Sequence, residues 1–257
     1  MSALKNLAWP ASALLALIAL WQIGVMVFGP PPYLVPAPAH VVAAFQENWA
    51  ILSTAALITL RAAVFAFLLA ALIGAVVALL LSSIPFLYKA FFPYTVVLQT
   101  IPVIAVAPII IIWFGIGLPS IIAIGILIAV FPVIANTTIG LRSTDASLKQ
   151  LFTFYGATPV QSLFKLRLPY SLPFFFTGLR IASGLAVIGV IVGEYFAGAG
   201  GNRAGLGFVL VNAASRLQMS TLFAATICSA VVGIVLFAVV SVLSNYFLQS
   251  WHESVRE

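Results

Sequence analysis

Long apolar runs, each closed by a short cluster of glycine, proline or charged residues, set the rhythm of this chain. A hydrocarbon core about 30 Å thick is crossed by roughly 20 apolar residues in helical form. Runs of that kind fall at about 10–28, 53–82, 90–114, 120–140, 171–195 and 219–248, which predicts six transmembrane helices. Between Lys89 and Arg142 there is no charge, and the glycines and proline of 115–119 place a tight turn between the third and fourth spans. The proline-rich stretch 29–38 reads as a loop, 40–50 as a short interfacial helix, and 198–216 as a glycine-rich loop with a short helix. No internal repeat or low-complexity segment interrupts the pattern.

One polar island, 143–169, breaks it. Leu148, Leu151, Phe152 and Tyr155 recur at i, i+3, i+4 and i+7, the spacing of one helical face. Gly156 then supplies the left-handed residue that commonly stops a helix. Thr158, Pro159 and Gln161 restart it as N-cap, first helical position and capping-box partner. Val160, Leu163 and Phe164 give the second helix its apolar face, and Pro169 is expected to end it. Two amphipathic helices bent at one glycine are shaped to be gripped by a soluble partner.

Composition confirms the class. Hydrophobic residues make up 63% of the 257 and charged residues 6%, against about a quarter charged in soluble domains. Mean hydropathy is +1.22. The expectation is an all-α, polytopic membrane protein with one domain over 1–257. The first run follows a stretch with one lysine and shows no convincing cleavage site, so it reads as a retained span. Cys228 is the only cysteine, which excludes an internal disulfide and suits a small packing residue. The net charge of +6 is scattered at span ends and is not a nucleic-acid signal.

Lys and Arg set the orientation. With both termini cytoplasmic, Lys5, Lys89, Arg142, Lys149, Lys165, Arg167 and Arg256 lie inside. Arg203 and Arg216 lie outside, and Arg61 and Arg180 sit within span ends. The polar island is then cytoplasmic.

Candidate chemistry is sparse. His40 and His252 fall on opposite sides of the membrane, so they cannot share a metal, and there is no glycine-rich phosphate loop. Any ATP-driven work must come from a partner chain. Glu194, at the outer end of the fifth span, either lines the outer vestibule, latches a gate to Arg203 or Arg216, or faces water at a span end. Arg61 either snorkels or meets an anionic solute. Arg180 reads as an anchor of the polar island at the interface, and Phe174, Phe175 and Phe176 as interface anchors. Gly189 and Gly193 let a neighbouring helix approach, within the chain or across a seam between two copies. Pro102 and Pro108 mark the third span as a candidate pore wall.

Gly156, nine residues, then Leu166-Arg167-Leu168-Pro169 resembles the cytoplasmic coupling loop of ABC-importer permeases. The usual Glu-Ala-Ala triplet is replaced by Gln150-Leu151-Phe152. Leu34-Val-Pro36-Ala-Pro38, Ile101-Pro102, Ala107-Pro108, Trp113-Phe114-Gly115-Ile116-Gly117, Phe131-Pro132, Gly140-Leu141-Arg142-Ser143 and Thr177-Gly178-Leu179-Arg180-Ile181-Ala182 extend it over about 10–250. They are similar to permeases of the nitrate, sulfonate, taurine and bicarbonate group and to their pyrimidine, thiamine-precursor and riboflavin relatives.

The resemblance implies a type I importer permease in a bacterial plasma membrane. It would act as a homodimer with two ATP-binding cassette subunits and an external solute-binding protein. ATP and Mg would sit on the partner ATPase, with no cofactor on this chain. Gln150, Leu151, Phe152, Tyr155, Gly156, Ala157, Thr158, Leu168 and Pro169 would form the ATPase-coupling site. Pro102, Pro108, Glu194 and Arg61 would belong to the translocation path or gate. Gly193-Glu-Tyr-Phe196 and Trp251-His252 look closer to the pyrimidine or riboflavin branch than to the nitrate or sulfonate one. The rival reading is an ion-coupled secondary carrier or channel.

Overall fold

The computed structural model describes residues 2–198 and 204–248. Every regular element among them is helical. The helices are α1 (Ser2–Phe28), α2 (Pro38–Glu47), α3 (Trp49–Ser83), α4 (Pro85–Thr100), α5 (Val103–Phe114), α6 (Leu118–Arg142), α7 (Ala146–Phe154) and α8 (Pro159–Ser162). A π turn (Leu163–Arg167) leads into α9 (Leu168–Ala197), followed by α10 (Leu206–Ser215) and α11 (Met219–Leu248).

Five helical stretches are long and apolar enough to cross a membrane: Trp9–Phe28, Trp49–Ser83, Leu118–Arg142, Pro159–Ala197 and Met219–Leu248. The third span differs from expectation. Instead of one helix over 90–114, α4 and α5 meet at a bend of 101°. Pro102 stands at the N-cap of α5 and forces Ile101 into an extended conformation, φ −68° and ψ 121°. A residue before proline is pushed out of the helical region, so the chain turns a corner where a lone proline would give a kink. Pro108 lies inside α5. Gly115 and Gly117 supply the turn to α6 at φ +80° and +120°, and the Ser120 hydroxyl donates to the Gly115 carbonyl.

The core is a close packing of α3, α6 and α9 through small side chains. On α3, Ala55, Ala62, Ala63, Ala66 and Ala70 are all buried. A Cβ added at Gly189 would lie 2.8 Å from the Cα of Gly125, and one at Gly193 would lie 2.9 Å from the Cα of Ile121. The glycine pair therefore packs α9 on α6 within the chain. Without a hydrophobic drive between helices in lipid, such backbone approach is what holds spans together. Cys228 is buried in the same core. Phe174 packs over Gly140, and Phe176 stacks on Phe247 at 5.9 Å, so these two aromatics join spans to one another.

Helix α1 stands apart. None of its membrane-spanning window is buried in the chain, and Trp21 stacking on Phe223 at 5.4 Å is its main aromatic contact.

Pro169 does not end the second amphipathic helix. The chain runs in helical form from Pro159 to Ala197. Just before the proline, Leu168 N–H bonds to the carbonyl of Leu163, five residues back. This π turn shifts the carbonyl register where an α-helix would press a carbonyl against the proline ring.

Candidate functional site

The 143–169 segment is built from local capping motifs. The carboxylate of Asp145 accepts from the N–H groups of Ser147 at 2.6 Å and Leu148 at 3.3 Å, which caps α7. Those backbone donors hold its pKa below the ordinary carboxylate value. The other end of α7 closes in a Schellman motif. Ala157 N–H reaches the Phe152 carbonyl at 2.9 Å, and Gly156 N–H reaches that of Thr153 at 3.0 Å. Gly156 takes φ +68°, where a Cβ is penalised. Thr158 and Gln161 then form the full capping box: Thr158 N–H donates to Gln161 Oε1 at 2.9 Å and Gln161 N–H to Thr158 Oγ1 at 3.2 Å.

What this scaffold presents is apolar and open. Leu148, Leu151, Val160 and Phe164 are exposed, with Phe154 at 85% and Tyr155 at 78%. Gln150, Gly156 and Thr158 are exposed too, while Phe152, Ala157, Leu168 and Pro169 are half-buried. Phe154 lies off the stripe drawn from the sequence. It stands three residues beyond Leu151, meets Tyr155 edge-on at 5.7 Å and extends the surface. Large apolar side chains left this open next to one another make the segment a candidate interaction surface.

Side chains tie the segment to the bundle. Arg167 donates from Nε to the Leu141 carbonyl at 3.1 Å and from its guanidinium to the Ser82 carbonyl at 2.8 Å. One cation thus caps the C-terminal ends of α6 and α3, where helix dipoles favour positive charge. The Arg142 guanidinium lies 3.7 Å over the Tyr88 ring. Lys149 Nζ donates to the Arg142 carbonyl at 3.3 Å.

The opposite end holds a second constellation. Glu194 is 2% exposed. It accepts from the Thr59 hydroxyl at 2.8 and 2.9 Å and from Gly207 N–H at 2.9 Å. Leu206 N–H donates to the same Thr59 oxygen at 2.9 Å. The carboxylate therefore clamps α9 and α3 to the N-terminus of α10. A Cβ on Gly205 would overlap the Glu194 carboxylate, and one on Gly207 would press on its Cβ at 2.7 Å.

Of the gate partners expected for Glu194, Arg203 lies outside the described residues. Arg216 is exposed at the C-cap of α10, the far end from the clamp. Glu194 does not face water either. Arg61 is exposed on α3 two residues beyond Thr59, outside the clamp. Arg180 bonds Ser244 at 2.7 Å and Asn245 at 2.6 Å, so it joins α9 to α11 rather than anchoring the polar island. Pro102 and Pro108 are exposed on the bent α4–α5 pair, beside the exposed Ile104, Ile112 and Trp113. The four path candidates are not brought together in one chain. His40 is exposed, and His252, Trp251 and Arg256 lie outside the described residues. No cluster of metal-ligating side chains occurs among the described residues.

The profile of the binding-protein-dependent transport system inner membrane component family matches residues 70–252. A probable ABC transporter permease protein of Haemophilus influenzae is 34% identical, covering 91% of this chain and 94% of its own length. A formylaminopyrimidine transport permease protein of Halalkalibacterium halodurans is 35% identical, with 93% and 94% covered. A riboflavin transport system permease protein of Chloroflexus aurantiacus is 34% identical, with 98% and 94% covered.

Proposed function

Because the chain belongs to the family of inner membrane components of binding-protein-dependent transport systems and is the permease subunit of an ABC importer, we propose that its 143–169 segment is the element through which a partner ATPase drives transport. Family membership supports this over an ion-coupled carrier or channel. The protein is a multi-span membrane transport component, and its partners are an ATPase and a solute-binding protein.

The observation that carries the coupling role is the exposed row Leu148, Leu151, Phe154 and Tyr155 on a segment whose ends are fixed by local caps and by Arg167. A rigid apolar knob, tethered to the ends of α3 and α6, transmits a displacement instead of absorbing it. Gln150, Leu151, Phe152, Tyr155, Gly156, Ala157, Thr158, Leu168 and Pro169 form the docking bend. ATP and Mg are bound by the partner, and this chain supplies no catalytic group. Closure of two ATPase subunits pulls on two such bends and rocks the spans between outward and inward access.

The remaining assignments follow from the same reading. The distribution of Lys and Arg supports cytoplasmic termini in a bacterial plasma membrane. The uncovered surfaces of α5 and α1 support a second permease copy, with the path, including Pro102 and Pro108, between the two. The relatives named for a formylaminopyrimidine and for riboflavin support a nitrogen heterocycle as cargo.

The deciding experiment is a pull-down of the tagged chain from its native membrane in mild detergent, with co-purifying chains identified by mass spectrometry. An ATPase in equal amount is expected, and its loss on replacing Phe154 and Tyr155 with Ser would assign the contact. A chain that purifies alone under conditions preserving other transporter complexes overturns the coupling role.

A further inference from the structure

Beneath the inner ends of the spans lies a cavity of about 400 Å³, lined by Arg142, Lys149, Thr153, Pro159, Ser162 and Arg167. Three of its six lining residues are cations and none is acidic. Asp145, the one carboxylate of the segment, is turned onto the amides of Ser147 and Leu148 at the start of α7. Arg142 rests on Tyr88, Arg167 reaches the carbonyls of Leu141 and Ser82, and Lys149 uses one bond on the Arg142 carbonyl. A guanidinium carries five N–H donors and an ammonium three, so each cation keeps donors beyond these bonds.

Three cations converge on this lining, and the one nearby carboxylate, Asp145, interacts with Lys149 alone while its oxygen is held by the amides of α7. Ser82 and Leu141 lie in the last turn of α3 and α6, so the cavity sits at the ends of two apolar helices long enough to cross a membrane. We propose that it binds the phosphate of an anionic phospholipid of the inner leaflet. Guanidinium groups match phosphate oxygens in geometry, and basic pockets beside span ends on the cytoplasmic side are suited to such headgroups. The bound phosphate joins α7 through Lys149 to α6 through Arg142 and to the start of α9 through Arg167. It stiffens the coupling segment against the bundle. The proposal rests on the cytoplasmic placement of that segment and is separable from ATPase docking.

The test uses the full chain co-purified with its ATPase in nanodiscs of phosphatidylcholine, with or without phosphatidylglycerol, followed by native mass spectrometry. Retained phosphatidylglycerol is expected on the wild type. It should fall about fivefold for each of Lys149→Gln and Arg142→Gln, since a basic residue near the surface contributes about that much. Lys165→Gln removes the same charge from the same segment without touching the cavity and should retain the lipid. An equal fall in Lys165→Gln, or no preference for phosphatidylglycerol, overturns the proposal. Full displacement of the lipid by millimolar inorganic phosphate assigns the cavity to a free anion and also overturns it. ATPase retained alongside lost lipid separates this result from failure of the coupling role.

Discussion

Two carboxylates cap two helices in this protein, and they do it in opposite surroundings. Asp145 accepts from amides two and three residues ahead, in the open, at the start of α7. Glu194 accepts from groups far along the chain, in a core that water barely reaches, at the start of α10. Both accept from backbone amides in the first turn of a helix. The local cap stabilises one helix and leaves its neighbours free to move. The long-range clamp locks three helices into one body. That division separates a segment held by its own local caps from three helices held together by one buried side chain.

Breaking the clamp should have the largest effect. Glu194→Ala leaves the Gly207 amide and the Thr59 hydroxyl buried without their acceptor and opens a cavity, at a cost of about 2–4 kcal/mol. The expected readout is a drop of several degrees in the unfolding midpoint of the purified protein, with the ATPase still bound. Glu194→Gln keeps an acceptor oxygen for Gly207 and should lose clearly less. Equal losses for the two would deny the acceptor role.

Next comes the tether. Arg167→Met removes two charge-assisted hydrogen bonds to the ends of α3 and α6, about 2 kcal/mol in all. Hydrogen exchange should speed up at the inner turns of both helices while the Glu194 clamp stays protected. An unchanged exchange pattern would mean that other contacts hold the span ends. The bend follows in order. Gly156→Val places a β-branched side chain at φ +68° and costs about 1–2 kcal/mol. The chain should still insert and assemble, but solute transported per ATP hydrolysed should fall. Normal coupling in this variant would remove Gly156 from the coupling site.

The same contrast explains what could be read in the sequence. The capping box of Thr158 and Gln161 and the stop at Gly156 were legible because their partners lie within a few residues. Five spans were legible because about 20 apolar residues leave few alternatives. The corner at Ile101 and Pro102 was not: an uncharged run looks the same straight or bent, and proline signals a break without its angle. Nor could the sequence pair Glu194 with Thr59, 135 residues away, since one threonine among many carries no mark of its partner. Arg167 was read as a cytoplasmic charge for a related reason. Its acceptors are backbone carbonyls, which every residue possesses.

The smallest expected effect belongs to the exposed cap and is best seen against pH. Because the pKa of Asp145 is lowered on folding, its contribution is present above the ordinary carboxylate range. It fades as pH falls through the lowered value, when the carboxylate takes up a proton and stops accepting from two amides. Amide exchange at Ser147 and Leu148 should therefore speed up on acidification, after correction for the intrinsic pH dependence of exchange. The Ala157 amide, held by the Phe152 carbonyl, should not respond in the same step. Asp145→Asn, which keeps an acceptor oxygen but does not titrate there, should abolish the pH step while leaving α7 formed. If the step survived in Asp145→Asn, the titrating group would lie elsewhere, and the contrast between a local cap and a buried clamp would lose its inner half.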